Sequence, residues 1–309
     1  GQLIKTSPPP ADELLDEQVR IIANPSFTPS YVQTSKRYTR QRWLKVFCYF
    51  RVRGWGFKLI SWFKRDPCNL HYLDAQSFLG HKPRLRDLRT LDLIDWNWRE
   101  AVNRFPKAKR VFFGLQLFPE ASIDYWLANI NLIDYENLVV RAAQAFSVQG
   151  YLVLVKDHPS QFGFRQHELI DRLKNIPHVI FLPYEVSGNE AVSLVDTNFT
   201  LTGTLGLQSA LLGLTSIVSP TYYATEGDFL KFDELAEIES LPQRAQSWQD
   251  ALALPQRQRR ILANLLAGSF EGDYFSFRGF RPDAPPPSVV ILARNLGNRL
   301  RKVIRHGLQ

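Results

Sequence analysis

Methionine is absent from the 309-residue sequence and cysteine occurs only twice. Cys48 and Cys68 belong to no CxxC pair, which excludes a disulfide scaffold and a thiolate metal cluster. A chain of this length ordinarily carries several methionines, so spacings between motifs are read with a tolerance of about one residue. No apolar run is long enough to cross a bilayer, and no signal-peptide pattern opens the sequence. The expectation is a soluble or peripheral protein of a reducing compartment. Two nucleotide fingerprints are missing as well. Neither GxGxxG nor GxxxxGK followed by Ser or Thr occurs, which argues against a dinucleotide oxidoreductase and a P-loop NTPase.

What is present is a globular mixture, 45% hydrophobic and 22% charged, with material for one large domain or two ordinary ones. Lysine and arginine (38) exceed aspartate and glutamate (30), giving a net charge of +8. The excess is concentrated. Between Lys36 and Arg65 there are ten basic residues, nine aromatics and no acid. On a helix Trp43, Val46, Phe47 and Phe50 share one face, flanked by Arg51 and Arg53, with Gly54 and Gly56, on either side of Trp55, expected to interrupt it. Cations around an aromatic wedge suit an anionic membrane surface. They also suit single-stranded nucleic acid, the least favoured reading, or a helical hairpin with a solvated basic face. After Asp283 no acid occurs, and Leu292, Leu296, Leu300, Val303 and Ile304 form a helical stripe among Arg294, Arg299, Arg301, Lys302 and Arg305.

Three regions follow. Residues 1–109 read as a basic-aromatic, mostly helical and irregular part, with an unstructured lead-in over 1–18 and a short strand at Val19–Ala23. Residues 284–309 read as a basic amphipathic helix behind Pro285–Pro287. Between them, residues 110–283 read as an α/β domain. Apolar runs at 111–115, 151–155, 178–182, 199–201 and 215–218 alternate with helical patterns at 135–146, 165–174, 189–195 and 205–212. That rhythm predicts a doubly wound, parallel, Rossmann-like sheet.

Ligands of such sheets lie beyond the carboxyl ends of the strands. Those ends carry Gln116 to Glu120, Lys156-Asp157-His158-Pro159, Tyr184-Glu185, Thr202-Gly203-Thr204 and Ser219 to Tyr223. A cation, an acid and an imidazole before a proline make Lys156–Pro159 a candidate site rather than core. Thr202–Thr204, between a strand and a helix, suits a phosphate, although Thr204 also reads as an ordinary N-cap. Tyr184 and Glu185 are placed to hold a base or ribose. No cluster has metal-ligand spacing, so no metal and no cofactor is expected.

Three runs, FFGLQLFPEAS (112–122), LVLVKDHP (152–159) and LVDTNFTLTGTLGLQSALLG (194–213), resemble the capsular polysaccharide biosynthesis glycosyltransferases, a group that includes Kdo transferases. The resemblance covers about residues 108–235, the nucleotide-binding half of a GT-B fold. It implies transfer of a sugar from a nucleotide donor, a CMP-sugar such as CMP-Kdo by preference, to a cell-surface polysaccharide or lipid-linked acceptor, at the cytoplasmic face of a membrane. It assigns Lys156, His158, Thr202, Gly203 and Thr204 to the donor phosphate, Tyr184, Glu185 and Gln208 to the nucleotide, and Glu120, with Asp157 in reserve, to catalysis. Asp157 stands where the family has Glu, and Gln208 where a Glu contacts the ribose. Residues 1–109 are too short for the family's acceptor-side domain, which is expected to be reduced or to lie outside this sequence. Two other readings stand beside this one: a non-catalytic scaffold docking on a membrane or polysaccharide-assembly partner, and a sugar-nucleotide epimerase.

Overall fold

A computed structural model describes residues 11–22, 24, 38–64, 83–117, 127–267, 269 and 287–307. Six strands form one parallel sheet: β1 (Arg110–Gly114), β2 (Leu152–Lys156), β3 (Val179–Leu182), β4 (Thr197–Phe199), β5 (Thr215–Val218) and β6 (Leu230–Lys231). Their spatial order is β3-β2-β1-β4-β5-β6. The helices are α1 (Asp12–Ile22), α2 (Arg40–Lys64), α3 (Trp98–Asn103), α4 (Tyr135–Val148), α5 (His167–Lys174), α6 (Gly188–Val192), α7 (Thr204–Leu211), α8 (Leu241–Ser247), α9 (Leu254–Ala267) and α10 (Pro287–Gly307).

Both faces of the sheet are covered, which is why its strands read as unbroken apolar runs instead of alternating ones. The pleat divides their side chains. Val111, Phe113, Val153, Val155, Phe181 and Phe199 enter one core with Leu138, Ala142 and Phe146 of α4 and Leu169, Ile170 and Leu173 of α5. Phe112, Leu152, Leu154, Ile180 and Leu182 enter the other with Trp98 and Val102 of α3 and Ala191 and Val192 of α6. An aromatic row crosses the first core. Phe113 stacks on Phe199 at 4.7 Å, and Phe199 on Phe232 at 5.5 Å.

The parallel, doubly wound sheet is as expected, with small shifts. The fourth strand begins at Thr197 rather than Phe199, in register with Val111 and Thr215. β6, two residues long, had no sequence pattern to show it. The lead-in is corrected: residues 12–22 are helical, not irregular followed by a strand. Leu15, Val19 and Ile22 lie at i, i+4 and i+7 and pack against Leu211 and Ile261, while Asp16 bonds Arg259 of α9. The β-branched run at its end concealed that stripe. Gly54 and Gly56 do not interrupt α2, which runs through both.

The basic-aromatic face is also corrected. Trp43 is only 2% exposed and sits in the main core, stacked on the half-buried Phe47 at 5.5 Å. Phe50 meets Phe164 edge-to-face at 4.6 Å. These rings hold α2 to the protein, with Trp43 buried and Phe47 and Phe50 half-buried. Arg51, Arg53 and Trp55 are exposed. On α10, Arg299 donates to the Ser269 carbonyl, Arg301 is exposed, and the Lys302 side chain lies outside the described residues. No helix among the described residues is long and apolar enough to cross a membrane.

Removing a fully buried ring leaves a cavity that the sheet refills only in part. Phe199→Ala is expected to lower the unfolding free energy by about 3–5 kcal/mol. Urea denaturation checks this, with the midpoint shifting at constant slope.

Candidate functional site

The chain winds from β1 through β2 to β3 on one side, then returns to place β4 on the other side of β1. Winding reverses between β1 and β4, so a crevice opens there at the carboxyl ends of the strands. Gln116, just past β1, spans it: its amide nitrogen donates to Thr200 Oγ1 beyond β4 at 2.8 Å. Gly203 follows on the same rim. A Cβ at that position would lie 2.8 Å from Thr200 Oγ1 and 2.9 Å from Gln116 Nε2, so only glycine lets the backbone come this close. Gly203, not Thr204, is the N-cap of α7, and among the described residues no side chain caps the helix there. Thr204 is its first residue, and Gln208, buried, follows one turn later on the same face. The amino end of α7 therefore presents backbone N–H groups and a positive dipole end at the crevice.

The end of β2 is held by a buried network. Asp157, 1% exposed, accepts from Arg165 Nε at 2.9 Å, from the Tyr184 hydroxyl at 2.7 Å and from the His158 backbone N–H at 2.8 Å. Arg165 also donates to the Gln116 carbonyl at 2.8 Å, and the Gln116 N–H donates to the Tyr135 hydroxyl at 2.8 Å. One acid thus ties the loops after β1, β2 and β3 together. This corrects two roles. Both carboxylate oxygens of Asp157 are engaged, so it positions its neighbours and is no free base. Tyr184 cannot stack on a base, because Tyr38 covers its ring at 5.1 Å, Phe162 meets it edge-on at 5.2 Å, and burial pushes its hydroxyl pKa well up. Glu185 is exposed and accepts from the Tyr38 N–H at 3.1 Å.

Lys156 differs from Arg165 in having no carboxylate partner among the described residues. It is 6% exposed, and its one described bond is to the Asp157 carbonyl at 3.1 Å. The pleat sets it, with Leu152 and Leu154, on the sheet face of α6 and α7, opposite the Asp157 network. Burial lowers its pKa to about 8, against the pull of Asp157 and Glu185. His158 caps the turn after β2: its Nδ1 accepts from the Ser160 N–H at 3.1 Å. Burial lowers its pKa to about 4, so the ring is neutral at pH 7 and its proton sits on Nε2. The ammonium and the imidazole Nε2–H are thus donors with unused capacity among the described residues. Both lie at the end of β2, the strand next to β1.

Thr202 is buried beside this rim, and Glu120 lies outside the described residues. Sequence reasoning missed Arg165, Tyr135 and Thr200. The signal for Arg165 was an arginine set among apolar neighbours, Phe162 and Phe164, which calls for a buried acid. A second titratable cluster, Asp87, His167 and Glu168, lies elsewhere, with ligand atoms within 4.8 Å of one another. The Arg84 guanidinium bonds both carboxylates and already supplies their cation. A concavity of about 600 Å³ lined by Val140, Gln144, Arg172 and His178 sits at the amino ends of the strands, away from the crevice.

No protein-family model and no curated protein matches the chain. Solved structures similar to it include two Kdo transferases. The Thermosulfurimonas dismutans KpsC β-Kdo 2,4-transferase is 18% identical, covering 50% of this chain and 44% of that one, with a TM-score of 0.35. The KpsC β-Kdo 2,7-transferase of the same organism is 16% identical, covering 60% and 59%, with a TM-score of 0.34. The chain spans about half the length of these structures.

A buried ion pair broken on one side leaves an uncompensated charge. Arg165→Met is expected to cost about 3–5 kcal/mol in urea unfolding. Adding Asp157→Asn to that variant is expected to recover part of the loss, whereas two independent sites would simply add.

Proposed function

We propose that this chain binds a nucleotide-activated sugar through its phosphate and forms the donor half of a glycosyltransferase. The observation that carries the reading is the buried Lys156 ammonium, bonded to no carboxylate among the described residues, with the His158 Nε2–H two residues on at the end of β2, one strand from the winding reversal. An unpaired buried cation is costly, and an anionic ligand offsets that cost. In glycosyl transfer the nucleotide phosphate gains charge as the bond to the anomeric carbon breaks. Donors already aimed at that phosphate stabilise the transition state more than the ground state. Lys156 supplies the charge, His158 a neutral hydrogen bond, and the Gly203–Thr204 end of α7 its backbone N–H groups. Arg165 is spent on Asp157 and so holds the loop instead of the ligand.

One uncommitted buried cation matches the single negative charge of a CMP-sugar phosphodiester better than a diphosphate donor, which makes CMP-Kdo the preferred kind of donor. Glu120, which follows β1 in the sequence, is the proposed catalytic carboxylate. A polysaccharide or lipid-linked glycan is the proposed acceptor, and the site needs no metal in this scheme. A scaffold without activity is the second reading. It is favoured by Tyr38, which covers the Tyr184 ring and bonds Glu185 at the end of β3. The epimerase reading would need several carboxylates in the crevice, and Asp157 is already committed.

A ligand that binds only the folded state raises its melting point. CMP is expected to raise the Tm of this chain more than UDP or CDP does, with the rise lost in Lys156→Ala and in His158→Ala. A Tm indifferent to all three nucleotides would favour the scaffold.

A further inference from the structure

The two halves of α2 present their apolar residues to opposite sides. Trp43, Val46, Phe47 and Phe50 form the proximal stripe, packed against the protein. Val52, Trp55, Leu59 and Trp62 recur at i, i+3, i+7 and i+10 and form a second stripe. At about 100° per residue this stripe lies roughly on the other side of the helix from the first. It therefore faces away from the protein, and Trp55 and Trp62 are 72% and 71% exposed, with Phe63 beside them equally bare. Arg51 and Lys58 run along its edge and Arg53 lies behind it. None of the three forms an ion pair among the described residues, and no acid occurs anywhere in α2. The Arg53 guanidinium rides over the Phe57 ring at 4.9 Å.

We infer that the distal half of α2 docks on the surface of an anionic lipid bilayer. Indole rings belong at headgroup depth, where an apolar body and a polar N–H are both satisfied. The flanking cations reach up to lipid phosphates along their own alkyl stems. A protein partner with an apolar groove would match the rings alone. It is the combination of four exposed apolar residues with the two cations at their edge, Arg51 and Lys58, and no acid that selects an anionic surface. α10 carries the same chemistry, with Leu296, Leu300 and Ile304 exposed among arginines and no acid. The proximal half of α2 rests on the loop between His158 and Arg165. Gly163, at φ +87°, leaves no space for a Cβ, which would lie 2.9 Å from Val46 Cγ1. One rigid helix thus joins the lipid surface to the loop that ends the second strand. The inference stands independently of the sugar-transfer reading.

The test is co-sedimentation of the full chain with vesicles of phosphatidylcholine alone and of a phosphatidylcholine–phosphatidylglycerol mixture. Binding is expected to favour the mixture by at least about tenfold and to weaken with salt. Arg51→Gln and Lys58→Gln together are expected to lower affinity for the mixture about thirtyfold, from about 1 kcal/mol per cation. Trp55→Ser with Trp62→Ser is expected to abolish binding to both vesicles. All four positions are exposed, so the Tm of each variant should match the parent's. Absence of binding, equal binding to the two vesicles, or variants that bind like the parent would overturn the inference. So would a dimer that light scattering shows to be lost in the tryptophan variant, which would give the stripe to a second copy of this chain.

Discussion

Arg165 and Asp157 face each other where water is excluded, and the geometry of the crevice depends on that pair. An arginine so placed would be untenable without its acid. The acid in turn accepts from Tyr184 and from the His158 backbone, and the arginine reaches across to the Gln116 carbonyl. Three loops that follow three different strands are thereby fixed relative to one another. Because the pair neutralises itself, it leaves the net charge of the site to Lys156. Two adjacent residues at the end of one strand point to opposite faces of the sheet and differ in their partners: the Asp157 carboxylate is shared by three donors, whereas the Lys156 ammonium bonds only the Asp157 carbonyl among the described residues.

The same economy of charge shapes the imidazole. A protonated His158 beside Lys156 and Arg165 would be repelled by both, and burial already disfavours it. Its Nδ1 is occupied as an acceptor, which leaves a neutral Nε2–H donor whatever the pH above the acid range. The site therefore contains one titrating cation and one constant hydrogen-bond donor. The end of β2 lies one strand from the reversal of winding between β1 and β4, and Gly203 lets the start of α7 approach Thr200 and Gln116 on that rim.

Much of this was legible in the amino-acid sequence. Strands buried on both faces advertise themselves as apolar runs, so β1, β2, β3 and β5 could be read directly. β4 was displaced because Thr197 and Asn198 are polar although buried, and apolarity was the only signal used. The strand ends, and so Lys156, His158 and Gly203, followed from the parallel topology. The roles within the site did not follow in the same way. Whether an acid reacts or braces depends on who shares its oxygens, and the Asp157 partners Arg165 and Tyr184 come from separate loops. Tyr38 on Tyr184 is likewise a tertiary contact with no local signature. On α2 the sequence showed an aromatic, basic helix, but only packing reveals that its first stripe is buried and its second is bare.

The central claim is that Lys156 is the charge that receives the donor phosphate, and its lowered pKa makes the claim measurable. The ammonium is charged below about pH 8 and neutral above it. Calorimetric titration of the chain with CMP at pH 7 and pH 9 is the direct measurement. An affinity about tenfold weaker at pH 9 is the predicted result, since one pH unit beyond the pKa leaves about a tenth of the lysine charged. His158, neutral throughout that range, adds nothing to the change. An affinity that is the same at both pH values, or no binding at either, would contradict the account.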